Sequence, residues 1–138
     1  MEPLITFAAE PQDVPAHTLH PVELHAPDTP TSGIDVVDGT LRFRTAGWYE
    51  ILLTVGWDPG HTAGTRFAHT AIPDHHPLHS EAINAAVLAA LSNGTQLLRG
   101  NTILEPDTID RVRLEIWHDN PTPVHLDEAS LAVRLLRT

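Results

Sequence analysis

The residues of this chain that most readily suggest chemistry are its histidines, which number ten in 138 residues. Half of them fall between His61 and His79, and neutral imidazole is a common ligand of zinc and nickel. The candidate metal ligands in this histidine-rich loop are His69, His75, His76 and His79. Their spacing matches no established metal signature, because His-Glu-x-x-His is absent and Pro77 prevents a regular helical pair around it. A polar loop at the tip of a β-sandwich is the alternative interpretation.

His118 is a different kind of candidate, because the alternation of its segment places it on the apolar side of a strand. In a trimer, one histidine from each subunit can meet the others at the three-fold axis and hold a metal or an anion. The same arrangement would form a pH switch, since imidazole titrates near ~6.5. His125 is a second candidate for these roles. The alternative is a histidine that is hydrogen-bonded at a strand end.

Carboxylate and amide side chains near the C-terminus offer the hard oxygen ligands that calcium prefers. These residues are Asp119, Asn120, Asp127 and Glu128. A solvated acidic loop is the alternative. The sequence therefore predicts no required cofactor, with a calcium or zinc ion in a loop or on the axis as the metal-binding alternative.

Nucleophilic catalysis has little support in the sequence. Ser80, Ser92 and Ser130 lack a Gly-x-Ser-x-Gly setting, and the absence of cysteine excludes thiolate chemistry and disulfides. The enzymatic alternative is a cupin-like metal-dependent enzyme that uses the histidine-rich loop. Its His-x-His pattern is missing, and the adjacent His75 and His76 would point to opposite faces of a strand. We therefore expect a protein that is not an enzyme.

The charge of the chain excludes two classes of partner. Eight arginines, no lysine and eighteen acidic residues give a formal net charge of −10, and the arginines are scattered, whereas nucleic-acid binding needs clustered basic residues. Nucleic acid and anionic membranes are therefore not expected partners. No stretch approaches the ~20 apolar residues that cross a bilayer, and no secretory signal is visible. We expect a soluble chain of unassigned location: virion-associated, secreted or cytoplasmic.

The elements that would position these side chains differ between the two ends of the chain. Residues 1–32 contain six of the twelve prolines, too many for a helix or a central strand. They are predicted to form an extended arm that adds edge strands at Leu4–Phe7 and Val22–Leu24. Residues 33–138 are predicted to form one jelly-roll head.

Alternating apolar and polar residues predict most strands of this head. The predicted strands are Thr40–Thr45, Trp48–Trp57, Thr65–Ile72, Ile109–His118 and a closing strand around Leu131–Leu135. Short strands separated by turn residues favour a β-sandwich. Residues 80–93 are ambiguous, because Ile83, Val87 and Leu91 also repeat at helical spacing. We predict a strand there, with a short helix as the alternative.

Three stretches resemble the jelly-roll superfamily of complement component 1, q subcomponent and tumour necrosis factor (TNF), especially its bacterial and phage members. The first is Gly47–Ile51 after the short strand Leu41–Phe43. The second is Gly64–Phe67, which is similar to a Gly-x-Arg strand of phage members. The third combines Asp110–Trp117 with Ala129–Val133, which are similar to the penultimate and closing strands.

This resemblance implies an all-β, two-sheet jelly roll of about ten antiparallel strands that assembles as a homotrimer. It also implies a non-catalytic head that recognises a carbohydrate or protein ligand, or that trimerises or caps a larger bacterial or phage assembly. The residues predicted at the subunit interface are Tyr49, Trp57, Leu114 and Ile116. The residues predicted to bind ligand are Arg66, Trp117 and Trp48, because arginine and aromatic side chains suit such ligands. Placement of the aromatic residues in the core of one chain is the alternative.

Overall fold

A computed structural model describes residues 4–28, 33–58, 65–71, 85–89, 95–104 and 111–137. These residues form eleven strands: β1 (Ile5–Ala8), β2 (Gln12–Val14), β3 (His20–Val22), β4 (Ile34–Val37), β5 (Thr40–Phe43), β6 (Gly47–Trp57), β7 (Thr65–Ala71), β8 (Ala85–Ala89), β9 (Thr95–Leu104), β10 (Arg111–His118) and β11 (Val124–Arg137). In this part of the chain there is no helix that could span a membrane.

The strands form two antiparallel sheets. The first has the order β1-β11-β6-β9, with β2 also paired to β11, and the second has the order β4-β5-β10-β7-β8, with β3 also paired to β10. From β6 onward the chain passes to the second sheet for β7 and β8, returns for β9, and then crosses twice more for β10 and β11. The prediction of an all-β jelly roll is confirmed, with eleven strands in the described residues against the expected ten.

The core lies between the sheets and follows the predicted alternation. Ile51, Leu53 and Val55 of β6 are fully buried, and their register partners on β11 include the buried Leu131 and Val133. Apolar residues at every second position of a strand lie on one face, so each sheet contributes one apolar layer. Burial of these two layers is the main force that holds the sandwich together.

The N-terminal segment is part of this core. β1 and β2 pair with β11 of the first sheet, whereas β3 pairs with β10 of the second, so the chain crosses between sheets after Val14. The side chains that it buries completely or almost completely are Phe7, Val14, Val22 and Leu24. Its many prolines are compatible with these short strands because edge strands do not need every N–H group.

A tight hairpin joins β4 to β5. Val37 pairs with Thr40, and the two residues between them have positive φ angles, 51° at Asp38 and 76° at Gly39. This is the conformation of a two-residue type I′ turn, for which Asp-Gly is a favoured sequence. A Cβ on Gly39 would come within 2.9 Å of Cα of Glu23, so close packing also requires glycine.

The ambiguous segment contains a strand. Ala85–Ala89 forms β8 and pairs antiparallel with β7, so the helical alternative is wrong for these residues. The rest of the segment, residues 80–84 and 90–93, lies outside the described residues, as does Ile72 of the predicted return strand. Pairing with a neighbouring strand outweighed the helical propensity of the alanines.

The residues predicted for the subunit interface lie in the core and not on the surface. Tyr49, Trp57, Leu114 and Ile116 are all at most 2% exposed and belong to the core of the single chain. They cannot form a surface for a second subunit, and that prediction is wrong. For Tyr49 and Trp57, the alternative placement in the core of one chain is the observed one.

Candidate functional site

The outer face of the first sheet, which we call the first face, carries the residues that alternate with core residues. It consists of Trp48, Glu50, Leu52 and Thr54 of β6, Leu97 and Arg99 of β9, and Ala132 and Arg134 of β11. The register places Leu52 between Arg99 on one side and Ala132 on the other. Side chains of three strands therefore form one continuous surface.

A glutamate lies at the centre of the first face. Glu50 is only 8% exposed, and its carboxylate accepts a hydrogen bond from Nη2 of Arg134 on β11. Its Oε2 lies 3.7 Å from Nε of Arg99 on β9. A poorly hydrated carboxylate needs such partners, because burial of an uncompensated charge is costly. The pairs thus compensate the charge of Glu50 and link β6 to both neighbours.

Apolar side chains lie on the same sheet as these ion pairs. Leu97 is 66% exposed and Leu136 is 38% exposed, while Leu52 and Trp48 are half-buried. The guanidinium carbon of Arg137 lies 5.6 Å from the ring centroid of Trp48, within the range of a cation–π contact. Exposed apolar side chains on one face are typical of a surface that contacts another protein.

The outer face of the second sheet, the second face, is different. Trp117 of β10 pairs with Phe67 of β7, and the register of β3 with β10 brings Leu19 alongside the same tryptophan. The imidazole of His17 contacts the indole edge to face, with ring centroids 6.4 Å apart. Trp117 is half-buried and Leu19 is 45% exposed. Together they form an aromatic and apolar ledge.

An ion pair adjoins this ledge. Nη2 of Arg113 donates a hydrogen bond of 2.5 Å to Oε2 of Glu115, and both residues lie on the same outward-facing row of β10 as Trp117. Aromatic faces next to charged hydrogen-bonding groups can bind the apolar and hydroxyl surfaces of a sugar or the side chains of a protein. Trp48 lies on the first face, so the structure does not bring it together with Trp117.

Arg66, the third residue predicted to bind ligand, is buried. It is 1% exposed, and its guanidinium carbon lies 5.9 Å from the ring centroid of Trp57. Burial lowers the pKa of Arg66, and the charge of Asp58 opposes that shift. Because the side chain does not reach the surface, its assignment as a ligand-binding residue is wrong.

His118 also lies inside the protomer. It is fully buried, and its Nε2 donates a hydrogen bond of 2.8 Å to the carbonyl of Val14. Its Nδ1 accepts a hydrogen bond of 3.2 Å from the amide of Asn120, which makes the ring a neutral Nε2–H tautomer. Both nitrogens are therefore used within one chain, and the predicted role of His118 as a metal ligand on a three-fold axis is wrong.

His125 lies near the surface at the start of β11. Its Nδ1 is 2.9 Å from Oδ1 of Asp13 on β2, and its Nε2 is 3.8 Å from Oδ1 of Asp127. The pKa of His125 is raised, first by the hydrogen bond to Asp13 and then by the charges of Asp13, Asp127 and Asp58, against a smaller opposing effect of desolvation. The contact ties the N-terminal arm to the first sheet.

The described residues contain no group of three or more histidines and carboxylates arranged to hold a metal ion. Of the calcium candidates, Asp119 accepts a hydrogen bond from the amide of Thr65, and Asn120 is buried. Asp127 and Glu128 are exposed.

His69 lies in β7. The remaining candidate metal ligands, His75, His76 and His79, lie outside the described residues.

Sequence reasoning missed the first face, above all Glu50, Leu97 and Arg134. The outward positions of β6 and β11 could be read from their alternation, but Leu97 and Arg99 lie in a stretch for which no strand was predicted. A signal was present in the opposite charges of Glu50 and Arg134. It could not be used without knowing that β11 and β9 flank β6, which is a property of the topology.

Solved structures of other proteins share this architecture. No protein-family model and no curated protein sequence matches the chain. Among solved structures, it is similar to murine APRIL, with a TM-score of 0.63, 11% identity and coverage of 96% of this chain and 100% of that one. It is similar to PRD1 vertex protein P5, with a TM-score of 0.71, 11% identity and coverage of 96% of each chain.

A third similar structure is Eiger TNF from S. frugiperda, with a TM-score of 0.59, 12% identity and coverage of 99% of this chain and 95% of that one. At such low identities, the comparisons establish the fold alone. The resemblance seen in the sequence and the two antiparallel sheets agree with it. The chain therefore has a TNF-like jelly-roll fold.

Proposed function

We propose that this protein is a non-catalytic, trimeric jelly-roll head with a structural role in a bacterial or phage assembly. The observation that supports it is the first face, where two arginines compensate the charge of Glu50 and where Leu97 is exposed on the neighbouring strand β9. Two further copies of the chain are the occupants of this face. The resemblance seen in the sequence implies the same assembly.

The chemistry of the face suits a contact between identical subunits. A charged group at the centre of an interface is costly unless its partner is already in place. Here Arg134 supplies that partner within each chain, so association requires no new compensation for Glu50. Exposed leucines then supply apolar area that association removes from water. The side chain of Arg99 is 62% exposed, so it can form polar contacts at the solvent-exposed border of the interface.

The similarity to a vertex protein supports a structural role over an enzymatic one. PRD1 vertex protein P5 shares the fold over 96% of both chains, and it is named for its place in an assembly. We infer that this chain also works as a trimerising or capping unit, associated with a virion or another large particle. No cofactor is part of this proposal.

The test is the solution mass, measured by light scattering coupled to size exclusion. We expect three times the 15.1 kDa of one chain. Leu97→Glu places a charge on the first face and is expected to give the monomer mass, because the new carboxylate would be desolvated on association. Leu97 is 66% exposed in the single chain, so the folded monomer should tolerate the change.

Leu19→Glu is the matched control, since Leu19 is 45% exposed on the second face. It should leave the trimer intact. A wild-type monomer would refute the trimer. Loss of association with Leu19→Glu but not with Leu97→Glu would place the contact on the second face.

A second candidate function is ligand recognition by the second face. The ledge of Trp117, Phe67 and Leu19 beside the Arg113–Glu115 pair supports it, and a carbohydrate or a protein is the expected ligand. The two functions are compatible, because association through the first face leaves the second face free.

A further inference from the structure

An open groove of about 420 Å³ runs beside β1 at the edge of the first sheet. One wall is formed by Thr6, Ala8 and Glu10, and the other by the segment from His25 to Asp28. A volume of this size lies in the range of sites that bind small molecules or short peptide segments. The groove lies at the β1 edge of the first face, because Thr6 pairs with Ala132, and it is separate from the second face.

The wall formed by β1 presents the backbone groups of Thr6, which have no backbone partner among the described residues. Ala9 donates to the carbonyl of Ala129, so residues of odd number in β1 direct their N–H and C=O groups towards β11. Ala8 directs its carbonyl the other way, where it accepts a hydrogen bond of 2.8 Å from the amide of His25. The N–H and C=O of Thr6, two residues earlier, therefore point into the groove.

The segment after β3 pairs with the edge of β1 at one position only among the described residues. Ala8 and His25 form an isolated antiparallel bridge, and continuation of that register would place Pro27 opposite Thr6. Proline has no N–H and cannot donate the next hydrogen bond of the ladder. The chain departs from the edge at this point, which leaves Thr6 without a strand partner among the described residues and opens the groove.

The groove also has a distinct charge. Glu10 and Asp28 line it, both are exposed, and the whole chain has a formal net charge of −10. The third titratable residue of the lining is His25, whose ring is exposed at the same rim. A ligand with positive side chains is therefore favoured over a neutral or acidic one.

We propose that this groove binds an extended, positively charged peptide segment of a partner protein, which adds a strand to the free edge of β1. Backbone hydrogen bonds with Thr6 give the segment its extended conformation, in the manner of strand addition. An arginine or lysine beside Glu10 or Asp28 supplies the selectivity. The groove lies along β1 and Leu97 lies on β9, at the opposite edge of the first sheet, so the Leu97→Glu variant is expected to bind the peptide as well.

The test uses a labelled hexapeptide that alternates arginine and valine, with binding followed by fluorescence anisotropy. We expect saturable binding that is weakened about tenfold when alternate backbone amides of the peptide are methylated, because the charge is kept while the ladder donors are lost. Replacement of the arginines by glutamate is expected to abolish binding.

The protein variant that tests the site is Glu10→Gln, which should weaken binding about threefold. Asp38→Asn, an equal change of charge at the exposed β4–β5 turn, is the control and should leave the affinity unchanged. Equal binding of the methylated and unmethylated peptides would overturn the proposal, since it would indicate adsorption by net charge alone. Absence of binding, or equal effects of the two variants, would also overturn it.

Discussion

The two outer faces of the sandwich bury a glutamate in different ways. On the first face, Glu50 contacts arginines of both neighbouring strands, Arg134 and Arg99. On the second face, the arginine that Glu115 accepts from, Arg113, lies on its own strand. The contacts of Glu50 connect three strands, whereas the hydrogen bond between Arg113 and Glu115 lies within β10. Register therefore decides whether a given pair of charged residues joins two strands.

The two faces also differ in their apolar residues, which are mainly aliphatic on the first face and aromatic on the second. The first face presents exposed aliphatic side chains such as Leu97. The second presents the rigid indole of Trp117, held edge to face by His17. Leucines suit a large contact between copies of the chain, while a fixed aromatic ledge suits a smaller ligand. The contrast supports separate roles for the two faces.

Removal of the charge of Glu50 should have the largest effect on stability and association. Glu50→Gln is expected to lower the free energy of unfolding by about 2 kcal/mol and also to weaken association, because Arg134 loses its charged partner. Glu115→Gln should cost about 1 kcal/mol and leave the mass unchanged. Urea unfolding and light scattering measure the two quantities. Equal losses of stability and association in both variants would remove the distinction between the faces.

Removal of one tryptophan from each face should separate recognition from assembly. Trp117→Ala is expected to reduce binding on a glycan array about tenfold or more, while the mass of the protein stays the same. Trp48→Ala, which loses the contact with Arg137, should bind glycans like the wild type. If Trp48→Ala abolishes glycan binding and Trp117→Ala does not, the ligand belongs to the first face.

The smallest expected effect is a difference in titration between the histidines of the two sheets. The pKa of His125, on the first sheet, is raised by Asp13 above its ordinary value of 6.5. The pKa of His20, on the second sheet, is lowered by burial. NMR titration of the ring protons should therefore find His125 protonated at a pH where His20 is neutral.

These opposite shifts give opposite contributions to stability. The His125–Asp13 contact is fully present below pH 6.5 and is lost as the pH rises through the raised pKa of His125. His20 acts in the other direction, because the unfolded chain binds a proton more readily, so stability is lost as the pH falls below 6.5. Asp13→Asn should lower the pKa of His125 and leave that of His20 unchanged. A His125 pKa that does not respond would exclude the contact with Asp13.

Much of the fold could be predicted because the strands alternate so regularly. Trp48–Trp57 and the observed β6 (Gly47–Trp57) differ by one residue, and the predicted return strand matches β7 (Thr65–Ala71) over all of its described residues. Less of the candidate site was predictable. Of the residues expected to bind ligand, Trp117 and Trp48 reach the surface on opposite faces, while Arg66 is buried.

The sequence by itself determined that this chain is a cysteine-free, acidic β-sandwich, and it determined which side chains of each strand share a face. That information is local, because a period of two depends only on the backbone of the strand. Only the tertiary structure decided which of the two faces is the core and which strands lie side by side. It therefore decided that Tyr49 and His118 are interior and that Glu50 meets Arg134. The physical reason is that ladder partners come from distant parts of the chain, and their choice depends on the packing of the whole sandwich.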